Sequence, residues 1–263
     1  MRKIIFLTVI LLMFFAVTMS ASSENKNLYI VFIGNSITFG AGLESQANDA
    51  PPASTAKYLK KCPSVGNVEI SNQGVCGSTT VDFLPETNTL FKNVKNVADK
   101  FVKRGDGILV FSIMLGTNDS AIKGTNGCPV EHVQYHKNMV RIIDELLKLY
   151  PECHVVVNRP LWYSPNTHNG ATYLQEGLDR LKTYYPEIKS IVKEYSKKAS
   201  MKQVYIGDSE AYGFFKKRYK EQFQAENGNS GVFYLHPNKK GAENLGNMWG
   251  KAIYKTLKER LKQ

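Results

Sequence analysis

The chain is poor in the residues that build metal or disulfide scaffolds: four cysteines and five histidines in 263 residues. Cys62, Cys76, Cys128 and Cys153 form no Cys-x-x-Cys pair, which argues against a zinc site, and no other metal is expected. After the first twenty or so residues there is no second apolar run of about 20, so no membrane span is expected in the processed chain. Internal repeats and low-complexity tracts are absent. Gly34–Gly42 does not fit Gly-x-Gly-x-x-Gly, which removes the usual dinucleotide fingerprint. Acidic residues are the minority, 23 against 34 Lys and Arg. The surplus is +11, or +9 without Arg2 and Lys3. It is spread along the chain rather than gathered in a block, and no zinc, helix-turn-helix or aromatic-basic signature accompanies it. Solvated helix faces account for it better than nucleic-acid binding does.

What is present begins with a leader. Arg2 and Lys3 precede the apolar run Ile4–Val17, and small residues follow around Ser20–Ser23. This three-part pattern predicts a signal peptide over residues 1–21 and a secreted or periplasmic protein. Residues 22–263 have the length of a single α/β domain and no linker-like shift in composition. Export makes one or two disulfides an expectation, with all three full pairings of the four cysteines left open.

Apolar, β-branched runs recur at Leu28–Ile33, Val68–Ile70, Ile108–Leu115, Val155–Val157 and Val204–Ile206. Longer stretches with helical spacing separate them, clearest at Tyr135, Met139, Ile142, Ile143, Leu146 and Tyr150. Alternation of this kind predicts a five-stranded parallel sheet with helices on both faces, closed by a helix over Lys239–Lys262. Ligands then bind in the loops at the carboxyl ends of the strands.

Those loops carry the polar motifs. The first is Gly34-Asn35-Ser36-Ile37, where Ser36 is a candidate nucleophile or, equally in form, a helix-capping residue. The second, Ser71 to Thr80, holds Gly77, whose backbone N–H can face a ligand. The third is Gly116-Thr117-Asn118-Asp119, and the Asn118 amide offers a donor that does not titrate. Near the C-terminus stands Tyr234-Leu235-His236-Pro237-Asn238. Of the five histidines only His236 lies in a loop fixed by a following proline; His132 and His136 fall on a helix, where exposure is expected, His154 opens a strand, and His168 has no evident partner.

Ser, Gly, Asn and His in this order resemble the conserved blocks of the SGNH (GDSL-like) hydrolases, from Val31 to about Gly241. The resemblance implies a three-layer α/β/α sandwich of flavodoxin-like form. It implies Ser36 as nucleophile, His236 as general base, and an oxyanion hole made by the Ser36 N–H with Gly77 and Asn118. No cofactor is required. The family's Gly-Asp-Ser-Leu reads Gly34-Asn35-Ser36-Ile37 here, and Phe233 stands where the family's acid normally precedes the histidine by three residues. The expectation is a Ser–His dyad oriented by a main-chain oxygen, with Asp208 or Glu226 as substitute acids. Gly207-Asp208-Ser209 repeats the motif letters after the fifth strand and reads as a helix cap. The lipase elbow Gly-x-Ser-x-Gly is missing around Ser36, against an α/β-hydrolase fold.

The loop Arg159 to Gly170 mixes aromatic and hydrogen-bonding residues, and Trp162 and Tyr163 are candidate sugar-binding faces, or else packing residues beneath the loop. With the leader and the similarity to the family's sialate O-acetylesterase-like or carbohydrate acetylesterase branch, this predicts an acetylated glycan as substrate. A lysophospholipase or arylesterase, and a glycan-binding relative without turnover, are the alternatives.

Overall fold

The computed structural model describes residues 25–87, 89–198 and 203–262; the expected leader over 1–21 lies outside them. In chain order the elements are β1 Lys26–Gly34, α1 Ser36–Phe39, α2 Gln46–Asp49, α3 Pro51–Leu59, β2 Val65–Gly74, α4 Leu90–Val102, β3 Gly107–Met114 and α5 His132–Leu149. They continue with β4 His154–Val157, α6 Leu174–Lys198, β5 Val204–Ile206, α7 Ala211–Lys217, α8 Tyr219–Gln222, β6 Glu226–Gly228, β7 Gly231–Phe233 and α9 Lys239–Leu257.

β1 to β5 form one parallel sheet in the order β2-β1-β3-β4-β5. The interior strand β1 is apolar on both faces, with Leu28 and Ile30 to Ile33 fully buried, as a strand covered by helices on both sides must be. On one side Trp249 of α9 stacks on Phe32 at 5.8 Å between ring centres. Between α5 and α6, Tyr135 and Tyr184 stack at 4.1 Å. No helix among the described residues is long and apolar enough to cross a membrane.

Two features depart from the sequence expectation. β2 runs well beyond Val68–Ile70, because an edge strand needs no second apolar face and can carry Asn67, Asn72 and Gln73 in its ladder. The antiparallel hairpin of β6 and β7 was not expected: Glu226 to Phe233 has no apolar alternation, and its turn through Asn229 and Ser230 is enabled by Gly231 at φ +88°. All four cysteines are free, Cys153 buried and Cys76 exposed, so the expected disulfides are not formed.

Candidate active site

Ser36 is held at the carboxyl end of β1 by a one-turn helix. The Asn35 side chain accepts the Ile37 N–H at 3.0 Å, and the Gly40 N–H closes the turn on the Ser36 carbonyl at 3.0 Å. Gly34 cannot be larger, since a Cβ there would stand 2.0 Å from Thr38 Oγ1.

His236 reaches Ser36 from the other end of the chain. Asn238 caps α9 by accepting the Gly241 N–H at 2.9 Å, which fixes the segment just before the helix. His236 Nε2 lies 2.9 Å from Ser36 Oγ, and Nδ1 lies 2.8 Å from Glu226 Oε2. The other Glu226 oxygen accepts the His236 backbone N–H at 3.0 Å. A carboxylate can only accept, so Nδ1 carries the proton and Nε2 is left to accept from the Ser36 hydroxyl. This corrects the expected dyad: the group facing Nδ1 is the Glu226 carboxylate and not a main-chain oxygen. Phe233, three residues before His236 where the family's acid normally stands, is buried; Glu226 is its pairing partner across the hairpin. The acid therefore arrives on the neighbouring strand rather than along the same one.

Asp208, the other candidate acid, is committed elsewhere. Its two oxygens accept the N–H groups of Glu210 and Ala211 at 3.2 and 3.1 Å, at the entry to α7.

Three donors surround the serine's loop. Gly77 has φ +77° with open space where a side chain would project, and among the described residues the backbone N–H groups of Ser36 and Gly77 have no acceptor. Asn118 is buried, with its Nδ2 donating to the Ser78 carbonyl at 2.8 Å and its Oδ1 accepting from Tyr173 Oη at 2.6 Å. Tyr173 thus sets which way the amide faces and leaves one N–H of Nδ2 to offer. Nothing near Asn118 in the sequence points to Tyr173, which is 55 residues away. Beside it, Leu174 holds φ +52°, a left-handed geometry that non-glycine residues adopt at a cost of about 1 kcal/mol or more.

Behind these donors, Asp119 ties two loops together. Its Oδ1 accepts the Thr80 N–H at 2.9 Å and the Thr80 hydroxyl, and Thr80 Oγ1 accepts from Asn138 Nδ2 at 2.9 Å. Burial pushes its carboxyl up to about 6, against the lowering effect of the Thr80 hydrogen bonds.

Trp162 and Tyr163 are not available as sugar-stacking faces. Trp162 packs on Tyr219 and Phe223, and Tyr163 is fully buried with its hydroxyl on Ser120 Oγ at 2.9 Å. A Trp-Tyr pair after a strand reads the same from sequence whether it lies over or under its loop. Among the described residues no other histidine is hydrogen-bonded to Ser36. His132 and His136 both face Glu187 of α6 through Nδ1 at 2.8 Å, His154 is buried, and His168 meets Ser230 Oγ at 3.2 Å. Among the described residues no cluster of His, Cys, Asp and Glu could hold a metal.

The model of the GDSL-like lipase/acylhydrolase family matches residues 32–243. No curated protein matches the chain by sequence. Among solved structures, the chain is similar to Est24, a carbohydrate acetylesterase from Sinorhizobium meliloti, with a TM-score of 0.58 and 16% identity over 87% of this chain and 99% of that one. It is also similar to the acetylxylan esterase Axe2 from Geobacillus stearothermophilus, with a TM-score of 0.56 and 15% identity over 89% and 94% of the two chains. The aryl esterase of M. smegmatis gives a TM-score of 0.58 and 16% identity over 86% and 98%. These likenesses bear on the fold: a parallel five-stranded sheet between helices, the SGNH hydrolase architecture.

Proposed function

This chain belongs to the GDSL-like lipase/acylhydrolase family and is a carboxylic ester hydrolase, and from that premise we propose that it removes O-acetyl groups from carbohydrates with Ser36 as nucleophile and His236 as base. The observation that carries the assignment of residues is the unbroken run from Glu226 through His236 to Ser36, with contacts of 2.8 and 2.9 Å.

In that reaction Ser36 Oγ adds to the ester carbonyl while its proton passes to His236 Nε2. Glu226 stabilises the imidazolium that forms and keeps Nδ1 protonated throughout. The carbonyl oxygen, now an oxyanion, is met by the N–H groups of Ser36 and Gly77 and by Asn118 Nδ2. Collapse of the intermediate breaks the C–O bond to the sugar, whose oxygen takes the proton from His236. Water then adds to the acyl-serine with His236 again as base, and acetate leaves. Ser, His and backbone dipoles suffice for these steps.

The carbohydrate part of the proposal draws support from neighbours of the same fold named as carbohydrate acetylesterases and acetylxylan esterases. It no longer draws any from Trp162 and Tyr163. Exposed Phe39, at the end of α1, and Val75, just past β2, favour a second reading in which the alcohol is aromatic. Export of residues 22–263 after removal of the leader is part of the same proposal, and the N-terminal residue of the processed protein, read by mass spectrometry, checks it.

The test is acetate release from an acetylated oligosaccharide and from phenyl acetate, with wild type, Ser36→Ala and His236→Ala. Both variants are expected to fall by about 10⁴-fold or more. Equal rates for wild type and Ser36→Ala would leave a binding protein, and hydrolysis of phenyl acetate alone would select the aromatic reading.

A further inference from the structure

Ser36 and His236 come together from opposite ends of the chain, 200 residues apart, and their side chains meet through one hydrogen bond of 2.9 Å. That bond cannot last through the reaction. Once Ser36 Oγ is bonded to the acyl carbon, its proton has passed to His236 Nε2 and on to the departing alcohol oxygen. The acyl-serine oxygen has no proton to give, so Nε2 is without this partner when it must take a proton from water.

Glu226 does not replace the lost link, because it belongs to the same segment as the histidine. Residues 221–238 are tied into one unit. Asn238 Nδ2 donates to the Glu221 and Phe223 carbonyls at 2.9 and 3.2 Å, the Asn238 N–H to the Gln222 carbonyl at 3.0 Å, and the Gln224 N–H to the His236 carbonyl at 2.8 Å. The side chain of Gln224 joins this unit to the serine's loop. Its Nε2 donates to the Ala41 carbonyl and to the Pro237 carbonyl, both at 2.9 Å. Ala41 in turn donates its N–H to the Ser36 carbonyl at 2.9 Å. The Ser36–His236 contact apart, no other hydrogen bond among the described residues joins residues 36–43 to residues 221–238.

The amide has one way to lie. Two carbonyl oxygens can only accept, so the NH2 group stands between them and both its protons are used. Oε1 then faces Gly42, where a Cβ would stand 2.2 Å from it, and Gly42 holds φ +77°. Glycine adopts that backbone without strain and leaves room for the amide.

We propose that Gln224 is a positioning residue for the second half of the reaction, a strut that holds His236 over the acyl-serine after the Ser36–His236 hydrogen bond has gone. This rests on Ser36 and His236 as nucleophile and base, and on no particular alcohol. In deacylation water adds to the acyl carbon and gives a proton to Nε2; the C–Oγ bond then breaks, Oγ takes that proton, and acetate leaves. Acylation starts with the Ser36–His236 hydrogen bond in place and so depends less on the strut.

The experiment is stopped-flow release of 4-nitrophenol from 4-nitrophenyl acetate by wild type, Ser36→Ala, Gln224→Met and Gln224→Asn, each first shown to be folded by its melting curve. Gln224→Met keeps the length and loses the donor, whereas Gln224→Asn keeps an amide one methylene too short to reach both carbonyls. In Gln224→Met, kcat is expected to fall by at least about tenfold. KM should fall in nearly the same proportion, so that kcat/KM stays within about threefold of wild type. A pre-steady-state burst approaching one 4-nitrophenol per enzyme should accompany the fall, as acyl-enzyme accumulates. Gln224→Asn should show the same split to a smaller degree, and it carries the test if Gln224→Met does not fold. A residue that only packs the fold would lower kcat/KM together with kcat and add no burst; that result overturns the proposal, as does wild-type kcat in the folded variant. Failure of the underlying reading looks different: wild type would release 4-nitrophenol no faster than Ser36→Ala, and the strut would fall with the relay.

Discussion

The two edges of the same sheet differ in how their polar groups are satisfied. At the amino edge a cavity of about 1020 Å³ opens among residues that include Tyr29, Phe101, Asp106 and His154. Polar groups there are quenched: Tyr29 Oη donates to Asp106 at 2.5 Å, Asn27 Nδ2 adds a bond at 3.1 Å, and burial pushes His154 down to about 4, so it is neutral near pH 7. At the carboxyl edge the backbone N–H groups of Ser36 and Gly77 have no acceptor among the described residues, and a hydroxyl, an imidazole and a carboxylate stand in line. Room does not make a site. Unmet donors beside a polarised relay do, because they can interact more strongly with a developing charge than with a resting substrate.

The sharpest way to break the comparison is at Glu226. Glu226→Gln preserves shape but offers Nδ1 an amide in place of a carboxylate, which permits the wrong imidazole tautomer. Turnover is expected to fall by about 10⁴-fold with little change in KM, whereas Tyr29→Phe at the amino edge should leave turnover unchanged. Wild-type turnover in Glu226→Gln would return the orienting role to the main chain.

A smaller effect is expected at Tyr173. Tyr173→Phe removes the bond that keeps the Asn118 carbonyl turned away from the oxyanion, so kcat should drop by about tenfold, the worth of one buried hydrogen bond, while KM stays near the wild-type value. The same variant should lose affinity for a reversible boronate adduct of Ser36 in the same proportion. A fall in melting temperature with unaltered kcat would make Tyr173 a packing residue only.

These residues show where sequence reading reached and where it stopped. The strands, their order along the chain and the loops bearing Ser36, Gly77, Asn118 and His236 were visible because each is local: an apolar run, then a polar turn. Glu226 could only be suspected, since its link to His236 depends on a hairpin whose strands are three residues each and carry no hydrophobic pattern. Tyr173 left no signal, as its partner is distant in the chain. Trp162 and Tyr163 were ambiguous because composition does not say which side of a loop faces solvent.

The faintest contrast between the edges lies in how each titrates. Asp119 has its carboxyl raised by burial from the usual value of about 4 to about 6. Its protonated form is favoured in the folded state, so the associated stability is complete below about pH 4 and is lost as pH rises through 6. His154 is the reverse: lowered by burial from about 6.5 to about 4, it contributes stability that is present above about pH 6.5 and lost as pH falls through 4. Each change is worth on the order of 3 kcal/mol, and between pH 4 and 7 the two oppose, so the wild-type profile alone hides both. Urea unfolding at pH 4.5 and pH 7 separates them. Going up in pH, wild type should lose stability relative to Asp119→Asn and gain it relative to His154→Gln. If Asp119→Asn tracks wild type at both pH values, the carboxylate behind the oxyanion loop is ionised in the folded protein over the whole range, and Thr80 then outweighs burial in setting its charge.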